Sequence, residues 1–179
     1  MALRAAAVLT LALALAGQTA VAHAGVTTIN DPTGDQVGSG DNDIRRVTLS
    51  HTTGNVSIDI SGDGYGADGY TVFLDVTPAG KGPDFAVYYE TYLSEYAEIR
   101  TTTKDWEAGK RVRCRVRTGG GGADGVAAGF SFDRACLKTG GQLPARIRVN
   151  VQANDFEQVE PGDSAPGRRQ WSRWVGSGR

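Results

Sequence analysis

The sequence predicts an all-β protein: an antiparallel β-sandwich of jelly-roll-like form with about nine or ten strands. Three observations lead there. Nearly every apolar segment alternates with period two, and clusters of Gly, Asp, Asn and Pro separate those segments. No convincing amphipathic repeat of ordinary helical length is present.

RVTLSH (46–51) places Val47 and Leu49 on one face, TTGN turns the chain, and VSIDI (56–60) places Val56, Ile58 and Ile60 on one face, which reads as a hairpin. SGDGYGADG (61–69) is a loop leading into YTVFLDV (70–76), where Tyr70, Val72, Leu74 and Val76 alternate. FAVYYETY (85–92) follows, with Phe85, Val87 and Tyr89 on one face. Tyr88, Tyr92 and Tyr96 have helical spacing, but the alternation before them favours strand, turn, strand, with a weaker strand over 96–102. KRVRCRVR (110–117) predicts one strand with Val112, Cys114 and Val116 inward. TGGGGADG must be a turn or loop, because consecutive glycines lose too much entropy in regular structure. VAAGFSF (126–132), ARIRVNV (145–151) and a closing WSRWV (171–175) complete the set.

The ends set the compartment. Residues 1–24, MALRAAAVLTLALALAGQTAVAHA, have the charged start, short apolar run and small-x-small ending of a secretory signal. That run is shorter than the roughly 20 residues a spanning helix needs. Residues 25–179 are therefore expected to form one secreted, extracellular domain with no membrane span. Its two cysteines, Cys114 and Cys136, are read as one disulfide, an even pair in an oxidising compartment. Without Arg4 the domain carries a net charge of −2, which points to no partner class. The charges are unevenly spread: residues 25–109 hold 14 acids and 5 bases, and residues 110–179 hold 6 acids and 13 bases. In a sandwich the two halves interleave, so cross-strand complementarity accounts for this.

The inventory excludes much chemistry. After the signal, His51 is the sole histidine and no methionine remains, so a His/Met haem site is impossible within the chain. His51, at a strand end beside TTGN, reads as a polar surface residue rather than a triad member, and no GxSxG elbow is present. The glycine run lacks the Lys-Ser/Thr of a phosphate loop. No catalytic constellation emerges.

Three binding features remain. In NDPTGDQVGSGDNDI (30–44), Asp31, Asp35, Asp41 and Asp43 offer the oxygen donors calcium takes, but not at EF-hand spacing. Asx-turns explain these residues first and calcium ligation second. Tyr88, Tyr92 and Trp106 flank one loop region, with Trp171 and Trp174 near the C-terminus, and such rings stack on sugars or pack on a core. Arg111, Arg113, Arg115 and Arg117 line one face of their strand. They suit an anionic polymer, or else pairing with acids on neighbouring strands such as Glu90 or Glu98, which is the favoured reading. With no aromatics among them, nucleic acid is not an expected partner.

The motifs DPTGD (31–35), DI (43–44), VTLSHT (47–52), FLDV (73–76), GPDF (82–85), RACL (134–137) and WV (174–175) resemble a group of small secreted actinobacterial proteins across nearly the whole domain. Over residues 30–90 the chain is more distantly similar to jelly-roll modules of the DOMON and family-9 carbohydrate-binding type. The resemblance implies a β-sandwich with a binding role, a cation near the strand ends and a sugar ligand. The expected function is thus a secreted, non-catalytic binding module for polysaccharide or a cell-envelope component, steadied by calcium. The alternatives are a secreted glycosidase-type enzyme and an envelope protein-interaction domain without a small ligand.

Overall fold

The computed structural model describes residues 25–37, 43–62, 69–80, 82–90, 96–119, 126–154 and 161–178. The described residues form β1 (Gly25–Asn30), β2 (Ile44–His51), β3 (Asn55–Gly62), β4 (Gly69–Asp75), β5 (Phe85–Glu90) and β6 (Tyr96–Thr102). They continue with β7 (Ala108–Arg111), β8 (Val116–Gly119), β9 (Val126–Asp133), β10 (Arg146–Asn154), β11 (Asp163–Ala165) and β12 (Val175–Gly176). One sheet has the order β1-β2-β3-β9-β8, and the other runs β11-β10-β4-β5-β6-β7 with β12 also on β10. Every strand pair is antiparallel. No described helix is long and apolar enough to cross a membrane.

The alternating side chains do what their period requires. Val47 and Leu49 of β2 and Val56, Ile58 and Ile60 of β3 meet Val72 and Leu74 of β4, Val87 of β5 and Val149 and Val151 of β10 in one core. Each such fully buried aliphatic stabilises the fold by roughly 1.5–3 kcal/mol. The crossovers lock the two layers. β3 pairs with β9 in one sheet while their successors β4 and β10 pair in the other. Because both pairings are antiparallel, the two crossovers leave the sandwich at opposite ends.

Four expectations change. Two strands beyond those foreseen appear, β1 and β11, and the closing strand shrinks to Val175–Gly176. KRVRCRVR is not one strand: β7 stops at Arg111 and β8 starts at Val116, because the chain there passes from one sheet to the other. His51 is not a surface residue but 0% exposed. It continues the inward set of Val47 and Leu49, and its Nδ1 lies 3.1 Å from the Val175 carbonyl oxygen. The 91–95 turn of the YYETYLSEY reading lies outside the described residues.

The disulfide is formed, joining Cys114 to Cys136 with Cα atoms 5.8 Å apart. Cys136 rides on a single 3-10 turn, Arg134–Leu137, opened by Asp133, whose carboxylate accepts the Ala135 N–H at 2.7 Å. The bridge pins the inter-sheet segment to the end of β9.

Candidate metal centre and aromatic face

The loop after β1 folds around carboxylates. Asp31 N–H donates to the Arg45 carbonyl at 3.0 Å, and Val37 N–H donates to the Gly162 carbonyl at 2.7 Å. Gly34, at φ 82°, supplies a left-handed turn. Its N–H reaches Asp43 Oδ1 at 3.0 Å. Asp43 is 4% exposed, and its second oxygen lies 3.8 Å from Arg45 Nε. Asp163, 7% exposed at the start of β11, accepts from Ile44 N–H and from Ser164 N–H, both at 2.6 Å.

These contacts bring one carboxylate oxygen from each of Asp31, Asp35 and Asp163 within 4.8 Å of the others. Oxygens bound to one calcium at 2.3–2.6 Å sit at most about 5 Å apart, so the spacing fits a shared ion. Asp31 Oδ2 and Gln36 Oε1, in the same loop, are buried without a hydrogen-bond donor. An unpaired buried acceptor costs about 1–3 kcal/mol, and a cation removes that cost. Burial, with the charges of Asp163, Asp35 and Asp43, pushes the Asp31 carboxyl up to about 7. Burial also raises Asp163, against the pull of its two N–H donors. An all-oxygen set suits a hard cation, calcium before zinc.

Of the four predicted ligands, the structure therefore joins Asp31 and Asp35, and uses Asp43 to brace the loop through Gly34. Asp41 lies outside the described residues. Asp163 and Gln36 were not foreseen. No local signal marks Asp163, since pairing of β11 with β10 delivers it from the far end of the chain.

A second cluster lies on the outer face of the larger sheet. Phe73 of β4 points away from the core yet is only 5% exposed, because Trp106 covers it edge-on with centroids 4.7 Å apart. Trp106 stacks on Trp171 at 4.8 Å and 30°. Arg148 of β10 lies 5.0 Å from the Trp171 centroid and 4.5 Å from that of Trp174, and Arg146 lies 4.8 Å from Trp174. The Arg148 guanidinium is fixed by Asp75, with Nε at 2.8 Å from Oδ2.

Local chemistry seats these rings. Thr103 O accepts the Trp106 N–H at 3.1 Å, and Thr103 Oγ1 accepts from the Asp105 and Glu107 N–H groups at 3.3 Å. The turn leaves Trp106 at φ 70°, a conformation that costs a non-glycine residue on the order of 1–3 kcal/mol. On the other side, the buried Asn150 amide donates to the Gly167 carbonyl at 2.9 Å and the Gln170 carbonyl at 2.8 Å. Ser172 exchanges hydrogen bonds with Val149, so Trp171 and Trp174 emerge beside β10.

Of the predicted aromatic set, Tyr88 and Trp106 share this face. Tyr88, opposite Thr71 and Glu98, is half-buried one pair along from Phe73. Tyr92 lies outside the described residues. Polar groups continue the face: Asn154 Nδ2 donates to Thr71 Oγ1 at 2.9 Å, with Gln152 between Asn150 and Asn154 on β10.

The arginines divide. Arg111 pairs with Glu98 at 3.1 Å and lies 5.8 Å from the Tyr96 ring, as pairing with a neighbouring strand anticipated. Arg113, Arg115 and Arg117 are exposed and make no ion pair among the described residues. Cross-strand complementarity is real elsewhere, in Asp75–Arg148 and Glu98–Arg111.

No family model, curated protein or solved structure matches this chain.

Proposed function

We propose that the chain is a secreted, non-catalytic binding module whose N-terminal loop is closed by calcium. The observation that carries this reading is the convergence of Asp31, Asp35 and Asp163 beside buried oxygen acceptors without donors. Such a grouping is destabilising by itself and becomes stabilising around a divalent cation. A disulfide and a leader-like N-terminus support an extracellular setting, where calcium is plentiful.

The ligand is carbohydrate, taken on the outer face of the larger sheet. Indole rings at Trp106 and Trp171 offer apolar surface for sugar rings, and the half-buried Gln152 and Asn154 offer donors and acceptors for hydroxyls. The resemblance to carbohydrate-binding jelly-roll modules leads the same way. Calcium holds the scaffold and does not touch this face.

The chain provides its own test. All three tryptophans, Trp106, Trp171 and Trp174, belong to this cluster, so intrinsic fluorescence reports on it alone. Titration with neutral polysaccharides is expected to shift the emission of the calcium-loaded protein, and Trp171→Ala should abolish the response. A flat titration across the panel would remove the carbohydrate assignment. An EDTA-treated protein whose melting temperature ignores added calcium would remove the cation.

A further inference from the structure

The unpaired arginines belong to neither site described above, and their surroundings are distinctive. Residues 112–115 bridge the two sheets, held to β6 at their start by the Val112 N–H, which donates to the Ile99 carbonyl at 2.8 Å. Cys114 N–H bonds back to the Val112 carbonyl at 2.9 Å, which bends the chain at Arg113. The bend opens a groove of about 510 Å³ lined by Arg111, Val112, Arg113, Cys114 and Arg115. Val112, Cys114 and Val116 pack against the core, so the alternating arginines must face outward. The Cys114–Cys136 bridge fixes the floor of the groove, and exposed Lys138 follows two residues after Cys136.

We propose that this groove and the adjoining Arg117 bind a polyanionic glycan, a sugar polymer carrying sulfate or phosphate groups. Guanidinium forks engage such oxyanions bidentately, and among the described residues Arg113, Arg115 and Arg117 have no carboxylate to give up first. Charge complementarity calls for an anionic partner: three positive charges without an ion pair among the described residues stand in a row on a chain of net negative charge. The lining holds no aromatic ring for base stacking, which disfavours single-stranded nucleic acid. Among the described residues the exposed large apolar side chains are Val26, Val37, Tyr96 and Leu143, and none of these lies within the basic segment to enter a lipid surface. This site is independent of the tryptophan face, and each fails or survives on its own variants.

The test is affinity chromatography and titration of the full domain with heparin, a sulfated glycan, alongside neutral dextran. Retention on heparin at about 50 mM NaCl, with log K falling as log salt rises, is expected. R113S/R115S/R117S should lose roughly tenfold or more in affinity and flatten the salt slope by about two to three. A charge-matched control, R46S/K104S/R173S, removes three exposed cations elsewhere and should keep heparin binding. Circular dichroism should be unchanged in both. The proposal is overturned if the wild-type domain passes through heparin, or if the control loses as much affinity as the groove variant. It is overturned equally if phosphatidylglycerol vesicles or a single-stranded oligonucleotide bind as tightly as heparin at the same salt.

Discussion

The acidic loop and the basic segment are opposite in more than charge. Asp31, Asp35 and Asp43 share one loop, Asp163 joins them from the far end of the chain, and Asp43 and Asp163 are buried. Arg113, Arg115 and Arg117 are neighbours in sequence, stand in solvent and are separated only by core-packing residues. Buried like charges brought together by topology cost free energy until something small and positive joins them. Exposed like charges on a tethered bend cost little and wait for a large, flexible partner. One region is thus built as part of the fold, and the other is carried on it.

That contrast can be broken from either side. The largest effect is expected at the tether: C114S/C136S should cost roughly 3 kcal/mol in urea denaturation. It should also weaken heparin binding while sparing the calcium response. Asp163→Ala comes next. It leaves the Ile44 and Ser164 N–H groups without their acceptor, at about 1–3 kcal/mol together once water takes up part of the loss. The variant should lose the calcium-dependent rise in melting temperature. Asp35→Asn, at an exposed position, should change the stability of the EDTA-treated protein by less than about 0.5 kcal/mol. It should nonetheless weaken calcium binding markedly. The arginine triple variant should be the quietest, with stability unaltered and only polyanion binding lost.

Two titrations sharpen the comparison further. Asp31 has its folded pKa raised from 3.8 to about 7, so without calcium its stabilising contribution is complete below pH 3.8 and disappears as pH rises through about 7. His51 works in the other direction. Burial lowers its pKa from 6.5, the Val175 carbonyl partly opposes this, and the Arg134 charge adds to the lowering. Its contribution is present above pH 6.5 and is lost as pH falls through the lowered folded value, since a charge must then enter the core. Below pH 6.5 the two windows overlap with opposite sign, so in EDTA the two slopes offset each other. In melting curves across pH 4–8, calcium should unmask the loss of stability on acidification, and His51→Leu the loss as pH rises toward about 7.

Much of this architecture was legible where local pattern decides structure. The β2–β3 hairpin, β4, β9 and β10 follow from apolar alternation, and the disulfide from an even pair of cysteines. β1 escaped because GVTTIN buries Ile29 alone among its side chains, and β11 because three residues carry no period. His51 looked like a turn residue in sequence, although the β2 period already placed it with Leu49. The arginine alternation was readable, but not the break at residue 112, which the passage between sheets imposes. Asp163 was beyond any local reading, since its place beside Asp31 depends on how β10 and β11 pair.

The loop that opens the fold is the most direct place to test the account. Isothermal titration of calcium into the EDTA-stripped domain at pH 7.5 should show one site per chain and, because Asp31 retains part of its proton near pH 7, proton release that grows as pH is lowered toward 6.5. Asp35→Asn and Asp163→Ala should each remove the binding isotherm. A featureless titration of the wild-type domain, or an isotherm that survives both substitutions, would contradict it.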